Sequence, residues 1–164
     1  MLFPAGAALV FLPFALAIGV WVAWSDMKFM KIPNMAVLAL AAVFIVLGPL
    51  TLPLETYLWQ LGHLPLILGV GFVMNMSGLL GAGDAKFAAA MAPYFMTADL
   101  RLVIALSSAI LLAAFTAHRG LGLVPAFRRA AGDWQSWQRK DFPMGLALSG
   151  VLIFYLMLAV PYGA

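Results

Sequence analysis

Residues 3–34 read FPAGAALVFLPFALAIGVWVAWSDMKFMKIPN. From Phe3 to Trp24 there is no charged side chain. A helix of that length reaches about 30 Å at 1.5 Å per residue, the thickness of a bilayer's hydrocarbon core. The run then meets Ser25 and Asp26, two lysines, and the break Ile32-Pro33-Asn34. An apolar helix long enough to cross a membrane, ending on an acid, sets the reading for the whole chain. No Lys or Arg precedes Lys28. A cleaved signal peptide has a basic start and a shorter apolar stretch, so the segment is expected to remain as a membrane span.

The composition agrees. Of 164 residues 65% are hydrophobic and 9% charged, whereas soluble domains carry about 25% charged residues. A solvated surface cannot be made from this chain, so its surroundings are lipid. The net charge of +3 is too small and too dispersed for nucleic acid and suits an anionic membrane surface. There is no cysteine, which excludes disulfides, thiolate chemistry and cysteine-ligated metals. His63 and His118 lie apart with no ligand pattern around them, and we expect neither metal nor cofactor.

Six apolar segments follow, at about 3–24, 35–54, 57–80, 86–97, 100–117 and 144–162. We therefore expect an all-α polytopic membrane protein of six spans, with a fourth too short to cross untilted. Five is the fallback count. Alternating six segments puts eight of the nine Lys and Arg residues on one side and Arg101 alone on the other. By the positive-inside rule the first side is cytoplasmic and both termini face outward. The basic loop at 118–142 holds Phe127, Ala130, Trp134 and Trp137 at helical spacing. It reads equally as a helix lying in the membrane interface or as an ordinary basic loop. Residues 1–164 are expected to form a single membrane-embedded domain.

Among six acids, Asp26 and Asp84 stand out. Each is placed where a span meets the cytoplasmic side, and an ionisable group there is a functional candidate by default. The plain alternative pairs each carboxylate with its neighbouring Lys28 or Lys86. Asp84 lies in GLLGAGDAKF, residues 78–87. Gly78, Gly81 and Gly83 free the backbone and admit a second chain closely, and a non-helical break at membrane depth must line a wet cavity or be buried in protein. Around Asp26, Pro33 disfavours helix at Ile32 and Asn34 is expected to cap the next helix. Two acids meeting in one wet cleft can work as base and acid on a carbonyl. The expected helix ends favour Asp84 as the ionised base and Asp26 as the protonated acid. Competing classes are a small transporter using both acids as ion sites and a non-catalytic subunit of a secretion assembly.

SDMKFMKIPN (residues 25–34) together with GAGDAKFAAA (residues 81–90) resembles the paired signatures of the type IV prepilin peptidases, the GxGD class of membrane aspartyl proteases. DFPMGLALSG, residues 141–150, is similar to a third family element, with Met144 where an aromatic is common. The resemblance implies a membrane aspartyl endopeptidase with Asp26 and Asp84 as the catalytic pair. Gly81, Gly83, Lys86, Pro33 and Asn34 would support the site or the substrate. It implies cleavage of prepilin-like leaders after a glycine, at the cytoplasmic face of the inner membrane. Larger members carry a cysteine-containing region that methylates the new N-terminus. Lacking cysteine, this chain resembles the compact peptidase-only members, those of Tad/Flp pilus systems or the archaeal preflagellin and prepilin peptidases, with compactness and motif wording favouring the bacterial Tad/Flp type. The implied partners are a prepilin-like protein and membrane lipids.

Overall fold

The computed structural model describes residues 1–164. The helices are α1 (Ala5–Phe29), α2 (Asn34–Thr51), α3 (Leu54–Met76), α4 (Ala82–Met91), α5 (Leu100–Gly122), α6 (Pro125–Ala130) and α7 (Met144–Tyr162), with no strand. Single 3₁₀ turns occupy Ala92–Tyr94, Thr97–Asp99 and Gln135–Trp137. Five helices (α1, α2, α3, α5 with its leading turn, and α7) are long and apolar enough to cross a membrane. The chain is a polytopic membrane protein.

Prolines set most of the starts. Pro4, Pro33, Pro53 and Pro143 each precede the first residue of a long helix, with fixed φ and an extended ψ, the geometry proline imposes at no cost where the first N–H groups lack partners. Asn34 is thus the first helical residue of α2 and its side chain makes no cap, contrary to the sequence expectation. Helix α1 runs five residues past Trp24 and closes at Met30, whose φ of 52° is left-handed and whose N–H donates to the Asp26 carbonyl at 2.8 Å. Asp26 therefore stands inside the last turn of α1 rather than after it. Past α3, Gly78 takes φ 75°, a backbone open chiefly to glycine.

Helix α4 begins four residues earlier than expected, so Asp84 belongs to its first turn. Its 10 residues rise only about 15 Å. The chain nevertheless traverses the bundle here. Asp84 shares a cavity with Asp26 at one end, and Asp99 accepts the N–H of Leu2 at the other. Helix α4, packed among α2, α3 and α7, covers part of that path, and the 3₁₀ turns and extended residues complete it. Irregular backbone at membrane depth must find partners inside the protein, and it does. The Gln60 side-chain amide donates to the carbonyls of Pro93 and Phe95 at 3.1 and 2.6 Å, and the Tyr155 hydroxyl accepts the Met96 N–H at 3.2 Å. Five full-length helices are thus joined by a short buried helix that carries the chain from the Asp84 end of the bundle to the Asp99 end.

Tight packing fills the half of the bundle away from Asp26. Phe11 stacks on Phe44 with centroids 5.6 Å apart, and Tyr94 sets its edge against both. The Tyr94 hydroxyl donates to the Leu40 carbonyl at 2.8 Å. Helices α2 and α3 close on each other where Gly48 faces Tyr57, since a Cβ at Gly48 would meet the ring at 2.6 Å. The chain ends meet on this side, Ala5 N–H donating to the Ala164 carbonyl at 3.2 Å.

Residues 118–142 form neither a continuous interfacial helix nor an open loop. Helix α5 continues to Gly122, α6 is a single short helix, and Ala131–Trp134 turn the chain back. Trp134 and Trp137 are half-buried, with ring centroids 5.6 Å apart, and Trp137 packs near His118. The His118 ring nitrogen Nε2 lies 3.1 Å from the Ser136 hydroxyl, both buried. Gly132 and the turn around it interrupt the helical spacing that the sequence displays.

Candidate active site

A cavity of about 490 Å³ opens at the basic end of the bundle, within the range of ligand-binding clefts. Asp26 arrives on the last turn of α1 and Asp84 on the first turn of α4, and both line it. Gly81, Gly83, Lys86 and Asn34 line it too. Pro33 does not; it acts one residue away, turning the chain so that Ile32 forms part of the wall. The turn between α1 and α2 is held by Ser25, whose hydroxyl donates to the Lys31 carbonyl at 2.9 Å.

The plain pairing of each acid with its neighbouring lysine does not occur. The one ion pair joins Lys28 to Asp133 at 4.0 Å, and the Lys28 ammonium rests over the Trp24 and Phe29 rings. The Lys86 ammonium donates to the Asn34 side-chain oxygen at 3.4 Å. Both acids keep their carboxyl groups free of cations.

The glycines have separate tasks. The Asp84 side chain folds back over Gly81, where a Cβ would stand 2.6 Å from Oδ2. At Gly83 a Cβ would come within 3.4 Å of Ile32, so small size there lets α4 approach the α1–α2 turn. The N–H groups of the first turn of α4 have no intrahelical acceptors. They belong to residues that line the cavity.

Gly145 is a site residue that sequence reasoning missed. Its N–H donates to Asp26 Oδ2 at 2.7 Å. A Cβ there would stand 3.0 Å from both Cβ and Oδ2 of Asp26, so only glycine brings α7 this close. The signal was present in the DFPMGLALSG stretch, but a bond spanning 119 positions leaves no local pattern. It also opposes, without removing, the helix-end asymmetry behind the expected proton assignment, since Asp26 still stands in the last turn of α1. Asp84 sits in the first turn of α4, and Asp26 takes an N–H from the first turn of α7. Met144, Phe142 and Asp141 complete this wall.

Asn75 and Ser77 serve the end of α3 instead of the cavity. Asn75 donates to the Leu80 carbonyl at 2.8 Å and Ser77 to the Met74 carbonyl at 2.8 Å. Nowhere do three or more His, Asp or Glu side chains gather in a metal-binding group.

Two carboxyl groups lining one open cavity, with glycine-bounded backbone N–H groups beside them, have the equipment to activate water and polarise a carbonyl. The sequence profile of the type IV leader peptidase family matches residues 9–117, well over half of the chain, and takes in both Asp26 and Asp84. No curated protein and no solved structure matches. The chain therefore belongs to the type IV leader peptidase family, the aspartic peptidases of prepilin-like precursors, and is a multi-pass membrane member of it.

Proposed function

We propose that this protein is the leader peptidase of Flp/Tad-type prepilin precursors. It cuts after a glycine at the cytoplasmic face of the inner membrane, with Asp26 and Asp84 as its catalytic pair. The observation that carries this reading is the meeting of the two carboxyls in one cavity, from helices far apart in sequence, with neither bound to a cation. The cytoplasmic placement rests on the basic residues gathered at that end, Lys31 and Lys86 on the cavity wall among them.

One carboxylate takes a proton from water, whose oxygen attacks the scissile carbonyl. The other, protonated, donates a hydrogen bond to that carbonyl oxygen as negative charge develops. Collapse of the tetrahedral intermediate breaks the C–N bond and delivers a proton to the leaving nitrogen. Adjacent acids titrate as a unit, so the shared proton belongs to the pair. Gly81 and Gly83 leave room for an extended substrate backbone, and the free N–H groups at the start of α4 donate hydrogen bonds to its carbonyls. Residues 1–164 act as one membrane-embedded peptidase domain.

Co-expression with a Flp-type precursor tests the function. The expected result is a shortened product whose N-terminus lies just after the leader glycine. An intact precursor beside abundant, membrane-inserted enzyme would contradict it.

A further inference from the structure

The chain from Pro125 to Trp137 folds back over the end of α5 and leaves a cavity of about 530 Å³ against it, within the range of ligand-binding clefts. Helix α5 contributes Ala117, His118 and Leu121 to its wall, α6 contributes Phe127, and the 3₁₀ turn that follows contributes Trp137. Leu121 and Phe127 are exposed, so the cavity is open at the side of the bundle. No residue lines both this cavity and the one that holds Asp26 and Asp84.

The walls are apolar except at two rings. His118 is 4% exposed, and its Nε2 is paired with the Ser136 hydroxyl at 3.1 Å. Its Nδ1 is buried without a partner, and so is the indole Nε1 of Trp137. An indole N–H can only donate, and a buried one ordinarily finds an acceptor. No group of this chain supplies one. Where Ser136 donates to Nε2, His118 Nδ1 carries the ring proton and is a second such donor. Beside Phe127, Arg128 and Arg129 stand exposed on α6. Neither takes part in an ion pair, since the one pair joins Lys28 to Asp133. An apolar hollow, a donor in want of an oxygen, and two unpaired cations thus meet in one short segment.

We propose that this cavity is a binding site for an anionic phospholipid. One acyl chain enters past Leu121 and Phe127 and fills the apolar space. The ester carbonyl at the head of that chain accepts the Trp137 N–H, and the phosphate lies against Arg128 and Arg129. A phospholipid carries these three groups in one molecule. A membrane helix does not, because its carbonyls are already bonded within the helix and cannot take up the indole proton. Lipid coats any apolar helix face, including that of α5 around Leu112, which is 65% exposed. The cavity differs from such a face in holding its lipid by named polar contacts, which confer preference for headgroup charge. The site is independent of the two carboxyls and of what they cleave.

The test uses the full chain in mixed vesicles of phosphatidylcholine and phosphatidylglycerol. A trace of phosphatidylglycerol carries a photoactivatable diazirine in one acyl chain, and labelled residues are located by peptide mass spectrometry. Label is expressed relative to that on Leu38, an exposed residue of α2 that reports ordinary lipid contact. It should concentrate several-fold on residues 117–137. Trp137→Phe keeps an aromatic ring and removes the N–H; it should lower that label about fivefold, the fold-change for one neutral hydrogen bond. Ala117→Trp fills the hollow and should lower it at least as far. Replacing the probe by its phosphatidylcholine analogue, or Arg128 and Arg129 together by Gln, should each reduce it several-fold. Label spread evenly over the exposed helix faces would overturn the site. So would label on 117–137 that is unchanged by Trp137→Phe or by Ala117→Trp, or equal labelling by the two lipids.

Discussion

Gly145→Ala should cripple cleavage without unfolding the protein. The added Cβ would stand 3.0 Å from Asp26 Oδ2 and 3.2 Å from Cγ, so the carboxyl must retreat by roughly half an ångström to reach ordinary contact distance. The Gly145 N–H bond, now 2.7 Å, then lengthens to the upper edge of the useful range at about 3.2 Å. A hydrogen bond to an ionised group is worth about 1.5–3 kcal/mol, and the carboxyl also shifts within the cavity it shares with Asp84. If that full amount is lost in the transition state, kcat/KM falls about 10- to 100-fold. Gly150→Ala is the control, on the same helix. Its Cβ would meet only the Ile110 Cγ2 at 2.9 Å, so the strain it adds falls on α5 and not on Asp26. The assay is the initial rate of leader removal in proteoliposomes, normalised to inserted enzyme. A Gly145→Ala rate within twofold of wild type would refute the role given to this contact. So would equal losses in the two variants.

Two further outcomes follow from the far end and from the topology. Asp99 accepts the Leu2 N–H at 3.1 and 3.0 Å and the Tyr155 hydroxyl at 2.8 Å. Asp99→Ala should therefore cost about 1.5–3 kcal/mol and lower Tm by on the order of 5–10 °C, with activity per folded molecule retained; an unchanged melt would show that this clamp contributes nothing. A reporter that works only outside the cytoplasm should be active when fused after Ala164, and one that works only inside should be active within residues 118–142; a cytoplasmic C-terminus would break the six-pass topology.

The spans were legible because each is a long run with at most one charged residue, and the placement of Asp26 and Asp84 at one end of the bundle followed from counting passes. A short fourth segment was legible as well, but its place inside the bundle was not. Its burial depends on Gln60 and Tyr155 satisfying backbone groups from other helices. The role of Asp99 left no local signal, since its partners Leu2 and Tyr155 are 97 and 56 positions away. Gly145 was hidden for the same reason. The tryptophans of the basic loop misled in the other direction. Their spacing fits a helix, yet Gly132 breaks it and the rings fold onto the end of α5, near His118. Local pattern shows which segments are helices; which polar groups meet between them is settled by packing.

The most direct measurement is leader cleavage by Asp26→Asn, Asp84→Asn and the double variant, each confirmed to accumulate in the membrane with an unchanged melting temperature. Catalysis by the pair predicts that either single substitution abolishes processing and that the double is little worse, because the two groups act as one unit. Near-normal cleavage by either single variant would contradict it.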